Sequence, residues 1–191
     1  MITSTSVRRA ALIASLLVLP GVHAAEVAGI RLDDSVRVGN NELALNGAGV
    51  RSKLFIKVYV GALYVSQKST SPAAIIDSPA PRRMLMRLQR DLGAEALSEA
   101  LEEGLTNNHG PAELAAIKPQ SEQLSSIMRG IGKVKEGDIV TIDFAGDGIA
   151  VSLNGIVRGK VAGGEFSRAL IKVWLGEKPV DAALKKALLG S

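Results

Sequence analysis

Leu45-Asn46-Gly47-Ala48-Gly49-Val50-Arg51-Ser52-Lys53-Leu54-Phe55-Ile56-Lys57-Val58-Tyr59-Val60-Gly61-Ala62-Leu63-Tyr64-Val65 reads as two β-strands joined by a short turn, and the rest of the chain is organised around it. Residues 57–65 carry the β-branched and aromatic composition of a pleated, largely buried strand. The strand before it sets Gly47 and Gly49 ahead of a lone Arg51. Glycines two apart on a strand share one face and leave it bare, so that a ligand or another backbone comes close there. With the turn centred near Leu54, Arg51 faces Lys57, and Tyr59 lies diagonally across on the face of Arg51. An arginine and a tyrosine beside bare glycine surface form an anion-recognising corner. Tyr64 points to the opposite face from Tyr59 by strand parity and reads as packing.

Upstream, Arg8 and Arg9 precede an apolar run over 10–19, then Pro20-Gly21 and the small-residue site Val22-His23-Ala24. This is the layout of a secretory signal peptide over residues 1–24, cut near Ala24, and the run is too short to span a bilayer. Val7 stands where a twin-arginine signal carries a hydroxyl residue, and without cysteine there is no lipoprotein anchor. The expected product, residues 25–191, is one periplasmic or secreted domain with no integral membrane segment, long enough for a core of its own. With no cysteine, no disulfide holds that core. Arg8 and Arg9 leave with the leader, which brings the 23 basic residues of the whole chain close to its 19 acidic ones. No basic cluster with interleaved aromatics stands out, so nucleic acid is not the expected partner.

The remaining elements follow from periodicity. A short strand is expected within 27–32 and a turn at Gly39-Asn40-Asn41. Ser71-Pro72 opens a short helix over 73–77, and Pro79 and Pro81 break the chain after it. Residues 82–90 alternate, with Met84, Met86 and Leu88 on one face and Arg83, Arg87 and Gln89 on the other; Leu85 spoils the pattern. Leu97, Ala100, Leu101 and Leu105 recur at helical spacing within 93–105. A second helix, 112–129, is expected to break near Pro119 and restart with Ser121 as cap. Three strands, 139–144, 149–153 and 156–161, are joined by Gly146-Asp147-Gly148 and Asn154-Gly155, the second a strong two-residue hairpin signal. Phe166, Ala169, Leu170, Val173 and Trp174 define one terminal helix, and Val180, Ala183, Leu184, Ala187 and Leu188 another. This order of elements predicts an α+β fold, an antiparallel sheet with helices packed on one face.

The inventory of reactive side chains excludes much chemistry. Beyond the leader the chain holds one histidine, His109, in a turn of small polar residues that reads as exposed, so no Ser-His-Asp or Cys-His site is expected. No metal-ligand spacing occurs, and Gly47-Ala48-Gly49 lacks the helix that would make it a nucleotide loop. Asp143 and Asp147 read as solvated residues of a hairpin. Arg51 is different: an arginine beside glycines and an apolar strand is costly to bury unless something anionic meets its planar fork.

The pattern G-x-G-x-R-x-K followed by K-V-Y-x-x-x-L-Y-V, over Gly47–Lys53 and Lys57–Val65, resembles the signature hairpin of the chalcone isomerase family. The run from Gly137-Asp138 through Leu153-Asn154-Gly155, then Glu165-Phe166, Ala169-Leu170, Trp174-Leu175-Gly176, Pro179-Val180-Asp181 and Leu188-Leu189-Gly190, is similar to its C-terminal half. The likeness is greatest to the non-catalytic branch of fatty-acid-binding and bacterial chalcone-isomerase-like proteins. It implies an open-faced β-sandwich with a ligand cleft between sheet and helices. It also implies that Arg51 grips the ligand's negative oxygen, a phenolate in the isomerases and a carboxylate in the fatty-acid binders. The isomerases carry threonine where Tyr59 falls, whereas the binders carry tyrosine. A further tyrosine and asparagine of the isomerase site come from the helix after the central strand, and 93–105 holds neither.

The expected function is therefore non-catalytic binding of a fatty acid or similar small apolar anion. Arg51 and Tyr59 would hold the head group, with Gly47, Gly49, Met84, Met86 and Leu88 as candidate cleft wall. Buried methylenes would contribute roughly 0.8 kcal/mol each. The alternative is an isomerase or lyase in which Arg51 stabilises an oxyanion and Tyr59 is the acid. A third reading fills the cleft with the protein's own side chains. No catalytic residue, metal or cofactor is assigned. Some distant family members hold haem, for which His109 would be the sole histidine ligand.

Overall fold

The computed structural model of the protein describes residues 25–191, so the expected leader lies outside the described residues. The chain begins with β1 (Ala25–Val27), β2 (Ile30–Leu32) and β3 (Ser35–Val38). The single strand expected within 27–32 is instead parts of two hairpin arms. Ala28 and Gly29 take φ of 51° and 79°, and this left-handed pair folds β2 back along β1. The long hairpin follows as β4 (Asn41–Lys53) and β5 (Ile56–Val65). Its turn is Leu54-Phe55, with φ of 50° and 65°, so Lys53 pairs with Ile56 and Ser52 with Lys57. A bulge at Val58 then sets Arg51 directly opposite Tyr59 rather than diagonally across.

Ser71 caps α1 (Pro72–Ile76), its side chain accepting a hydrogen bond from Ala74 N at 3.3 Å. Then come β6 (Arg82–Leu88), β7 (Leu92–Gly93), α2 (Ala94–Asn108) and α3 (Pro111–Ile131). Contrary to expectation α3 runs unbroken past Pro119. The proline forfeits a backbone hydrogen bond, but Ile117, Leu124 and Met128 keep one buried stripe on both sides of it, and that packing holds the helix. The chain closes with β8 (Lys133–Val134), β9 (Ile139–Ala145), β10 (Gly148–Leu153), β11 (Ile156–Ala162), α4 (Gly164–Leu175) and α5 (Ala182–Leu188).

Seven strands form one antiparallel sheet in the order β11-β10-β9-β6-β5-β4-β3. One face carries the main core, to which α1 through α5 all contribute, around Trp174, Phe166, Leu170 and Ile142. The other carries a smaller core of Leu32, Leu43, Leu45, Val60, Ala62 and Tyr64, covered by residues of β1 and β2. Leu85, the residue that breaks the alternation of β6, packs onto this second core. The fold is α+β, an antiparallel sheet with its helices on one face, as the sequence predicts.

Candidate functional site

Arg51 and Tyr59 meet on the helical face of the sheet, where β4 and β5 approach their turn. The Arg51 guanidinium carbon stands 5.6 Å from the centroid of the Tyr59 ring, a cation–π contact. Tyr59 is only 2% exposed, and its hydroxyl accepts a hydrogen bond from Trp174 Nε1 at 2.9 Å. Burial pushes the Tyr59 phenol up, while the Arg51 charge and the Trp174 bond pull the other way. The hydroxyl thus stays protonated, and its proton has no acceptor among the described residues. Arg51 Nε is buried without a hydrogen-bond partner, and no described carboxylate lies within ion-pair distance of Arg51.

Asp181 explains part of that geometry. One of its oxygens accepts from Leu184 N at 2.9 Å, capping α5, and the other from Ser52 N at 3.1 Å. The carboxylate therefore ties the end of β4 to α5, and is not paired with the neighbouring Arg51. Inward from Arg51 and Tyr59 lies an apolar slot lined by Met86, Leu97, Leu101, Met128 and Trp174. Its volume is about 10 Å³, room for about one water molecule. Outward, Arg51 borders a hollow of about 160 Å³ with Lys53, Glu103, Asn107 and Val180. A larger hollow of about 680 Å³, lined by Ser66, Ser69, Ser78 and Arg82 among others, shares no residue with the slot.

The other expected wall residues lie elsewhere. A Cβ at Gly47 would fall on the Ala187 carbonyl, and one at Gly49 would sit 2.6 Å from the Ala187 Cβ. The bare glycine face is thus occupied by α5, the close approach of another backbone rather than of a ligand. Met86 lines the slot, but Met84 does not: its Cε lies 2.9 Å from where a Gly61 Cβ would stand, in the core near Leu184. Leu88, directly opposite Tyr59, is fully buried core.

Other expectations are corrected too. Helix α2 extends to Asn108, beyond the expected stretch, because the Asn108 amide donates to Gly104 O at 2.8 Å and to Lys178 O at 2.7 Å. That extension brings Asn107 to the hollow outside Arg51. His109 is half-buried at the end of α2, where its Nδ1 lies 2.9 Å from Leu105 O, rather than exposed. Asp143 is not a solvated turn residue: it makes a two-pronged ion pair with Arg83, one arm at 2.7 Å. Asp147 is exposed in its turn as expected. Sequence reasoning missed Trp174 as a site residue, since its helical spacing marks only a buried face, and no local signal tied Asp181 to β4.

A family model described as chalcone isomerase-like matches residues 24–190. No curated protein matches the chain. Among solved structures, a fatty-acid binding protein of Arabidopsis thaliana is similar at a TM-score of 0.67 and 15% identity, covering 84% of this chain and 92% of that one. At that identity the likeness speaks for the fold. With nearly every described residue inside the family match, the chain belongs to the chalcone isomerase-like family.

Proposed function

We propose that the protein binds a fatty acid or a similar apolar anion without transforming it, and that it does so outside the cytoplasm after loss of residues 1–24. The observation that carries this reading is Arg51. Its Nε is buried without a partner, no described acid pairs with it, and an apolar slot opens beside it. A carboxylate accepting from that fork and from the Tyr59 hydroxyl would satisfy both groups at once. The similar Arabidopsis structure is of a fatty-acid binding protein, which supports the ligand class. An acyl chain requires the slot to widen, and two of its walls, Met86 and Met128, are the most adaptable apolar side chains available.

The test is mass spectrometry of lipid extracted from the purified protein, with laurate affinity measured by calorimetry. Arg51→Ala is expected to weaken laurate about 10- to 100-fold, the worth of a charge-assisted hydrogen bond. Unchanged affinity in that variant overturns the assignment. Parent protein that binds no fatty acid leaves the third reading, a slot closed on its own side chains, which its small volume favours. Asn107 beside Arg51 is the one observation on the side of an isomerase or lyase. Turnover of a chalcone-type substrate, lost in Arg51→Ala, would establish that instead.

A further inference from the structure

The large apolar side chains exposed among the described residues are Leu54, Phe55, Ile56, Ile156 and Val157, with Leu54 83% and Phe55 102% exposed. Strand register places all of them at one end of the sheet. Lys53 pairs with Ile56 at the β4–β5 tip, Tyr59 with Leu88, and Arg87 with Ile139. Val140 then pairs with Leu153, and Leu153 with Ile156 at the β10–β11 tip. The two tips therefore project the same way, about four strand spacings apart, or roughly 19 Å before the sheet curls.

The first tip is built against local preference. Two-residue hairpin turns with left-handed backbone at both positions favour Asn-Gly, and the second tip, Asn154-Gly155, uses that pair with φ of 51° and 79°. The first holds Leu54 and Phe55 in the same left-handed region, with both side chains in solvent. Neither residue serves the core, the turn or solubility. A surface outside the chain accounts for them.

Charge identifies that surface. Lys53 and Lys57 flank the first tip, Arg158 follows the second, and Arg90, Lys133 at the start of β8 and Lys135 stand exposed between them. None lies within ion-pair distance of a described carboxylate. The acids of this end are Asp91, Glu95, Glu103, Glu136, Asp138 and Asp181; Glu103 shares with Lys53 the hollow outside Arg51, and Asp181 accepts from Ser52 N at 3.1 Å. Asp91 accepts from Glu136 N at 2.9 Å, and Asp138 accepts from Lys135 N at 2.7 Å and Asn154 Nδ2 at 2.9 Å, so both are engaged within their loops. Two apolar points, each flanked in sequence by an unpaired Lys or Arg, do not form the contiguous apolar centre of a protein interface. They match a plane of anionic lipid, where short apolar tips enter the acyl boundary and Lys and Arg stay at head-group depth.

We propose that this end of the sheet docks on an anionic lipid bilayer through the Leu54-Phe55-Ile56 and Ile156-Val157 tips. No described helix is long and apolar enough to cross a membrane, and docking requires none. The docking stands on tips and charges whether or not Arg51 takes a fatty acid. Where both hold, β4 leads from the bilayer surface directly to Arg51.

The experiment is co-sedimentation of the chain from Ala25 on, which holds every described element, with vesicles of phosphatidylglycerol and phosphatidylethanolamine or of phosphatidylcholine alone. Binding to the anionic vesicles is expected, falling at raised salt and on phosphatidylcholine. Phe55→Ser and Ile156→Ser are each expected to weaken it about tenfold, since either removes a large apolar side chain from the contact. Both positions are exposed, so circular dichroism should be unchanged. Arg51→Ala, which tests the ligand reading, should leave vesicle binding intact. The proposal is overturned by parent protein that stays in the supernatant, by Phe55→Ser binding as the parent does, or by self-association that Phe55→Ser abolishes, which would make the tips an interface between copies of this chain.

Discussion

Three arginines on two strands of the sheet, β4 and β6, show how this chain treats a guanidinium withdrawn from water. Arg83 meets Asp143 in a two-pronged pair. Arg82, only 3% exposed, donates to Ser78 O at 2.7 Å and lies 5.2 Å over the Phe144 ring. Arg82 Nε is unsatisfied too, but its amino groups donate to carbonyls, whereas Arg51 has the Tyr59 ring and no side-chain hydrogen bond to a described residue, which suits it to an anion from outside. Arg51 and Tyr59 were legible in the sequence because a cation inside an apolar β-hairpin demands a partner. Trp174 was not, because the bond joining it to Tyr59 spans residues far apart in the chain. Tyr64, on the opposite face, donates to Asp33 O at 3.0 Å, and burial with nearby Asp33 pushes its phenol from 10.0 to about 12. Its folded-state value lies above the unfolded one, so its contribution to stability is complete below pH 10.0 and is lost as pH rises towards about 12. Denaturant titrations across that window should show the parent losing stability more steeply than Tyr64→Phe. Equal slopes would mean that this phenol does not drive the alkaline loss.

At the scale of elements, strands and helices whose period is local were legible in residue spacing, and what depends on contact was not. The β4–β5 hairpin, the alternation of β6 and the stripes of α4 and α5 are read directly from residue spacing. The bulge at Val58, the unbroken α3 and the turn at Ala28-Gly29 each rest on packing that no short window encodes. The glycines illustrate the boundary: their spacing announced a close approach, but only the fold shows that α5 makes it. Gly49→Ala should therefore cost about 2 kcal/mol, as overpacking does, and lower the unfolding midpoint. Ala187→Gly in the same chain removes the Cβ that a Gly49 side chain would strike, so the double variant should recover part of the loss despite the helix cost of glycine, about 1 kcal/mol. Two losses that simply add would show that α5 does not rest on this strand.

The whole molecule is a sheet with a large helical core on one face and a small β-covered core on the other, and its polarity runs along the strands. The end where β4 and β5 turn carries the apolar tips with their flanking Lys53, Lys57 and Arg158 and, just inside, Arg51 with Tyr59. Fold class and family were readable because pattern and order of elements suffice for them; the gathering of features at one end was not, because it follows from register across six strands. The account turns on whether Arg51 meets the acid of a bound ligand. Carbon-13 resonance of carboxyl-labelled laurate, followed against pH in the complex, reads this directly. An adjacent guanidinium favours the carboxylate, so the bound acid should stay ionised to lower pH than free laurate, and Arg51→Ala should raise its titration again. A bound carboxyl that titrates as it does in water, or one unmoved by Arg51→Ala, would contradict the account.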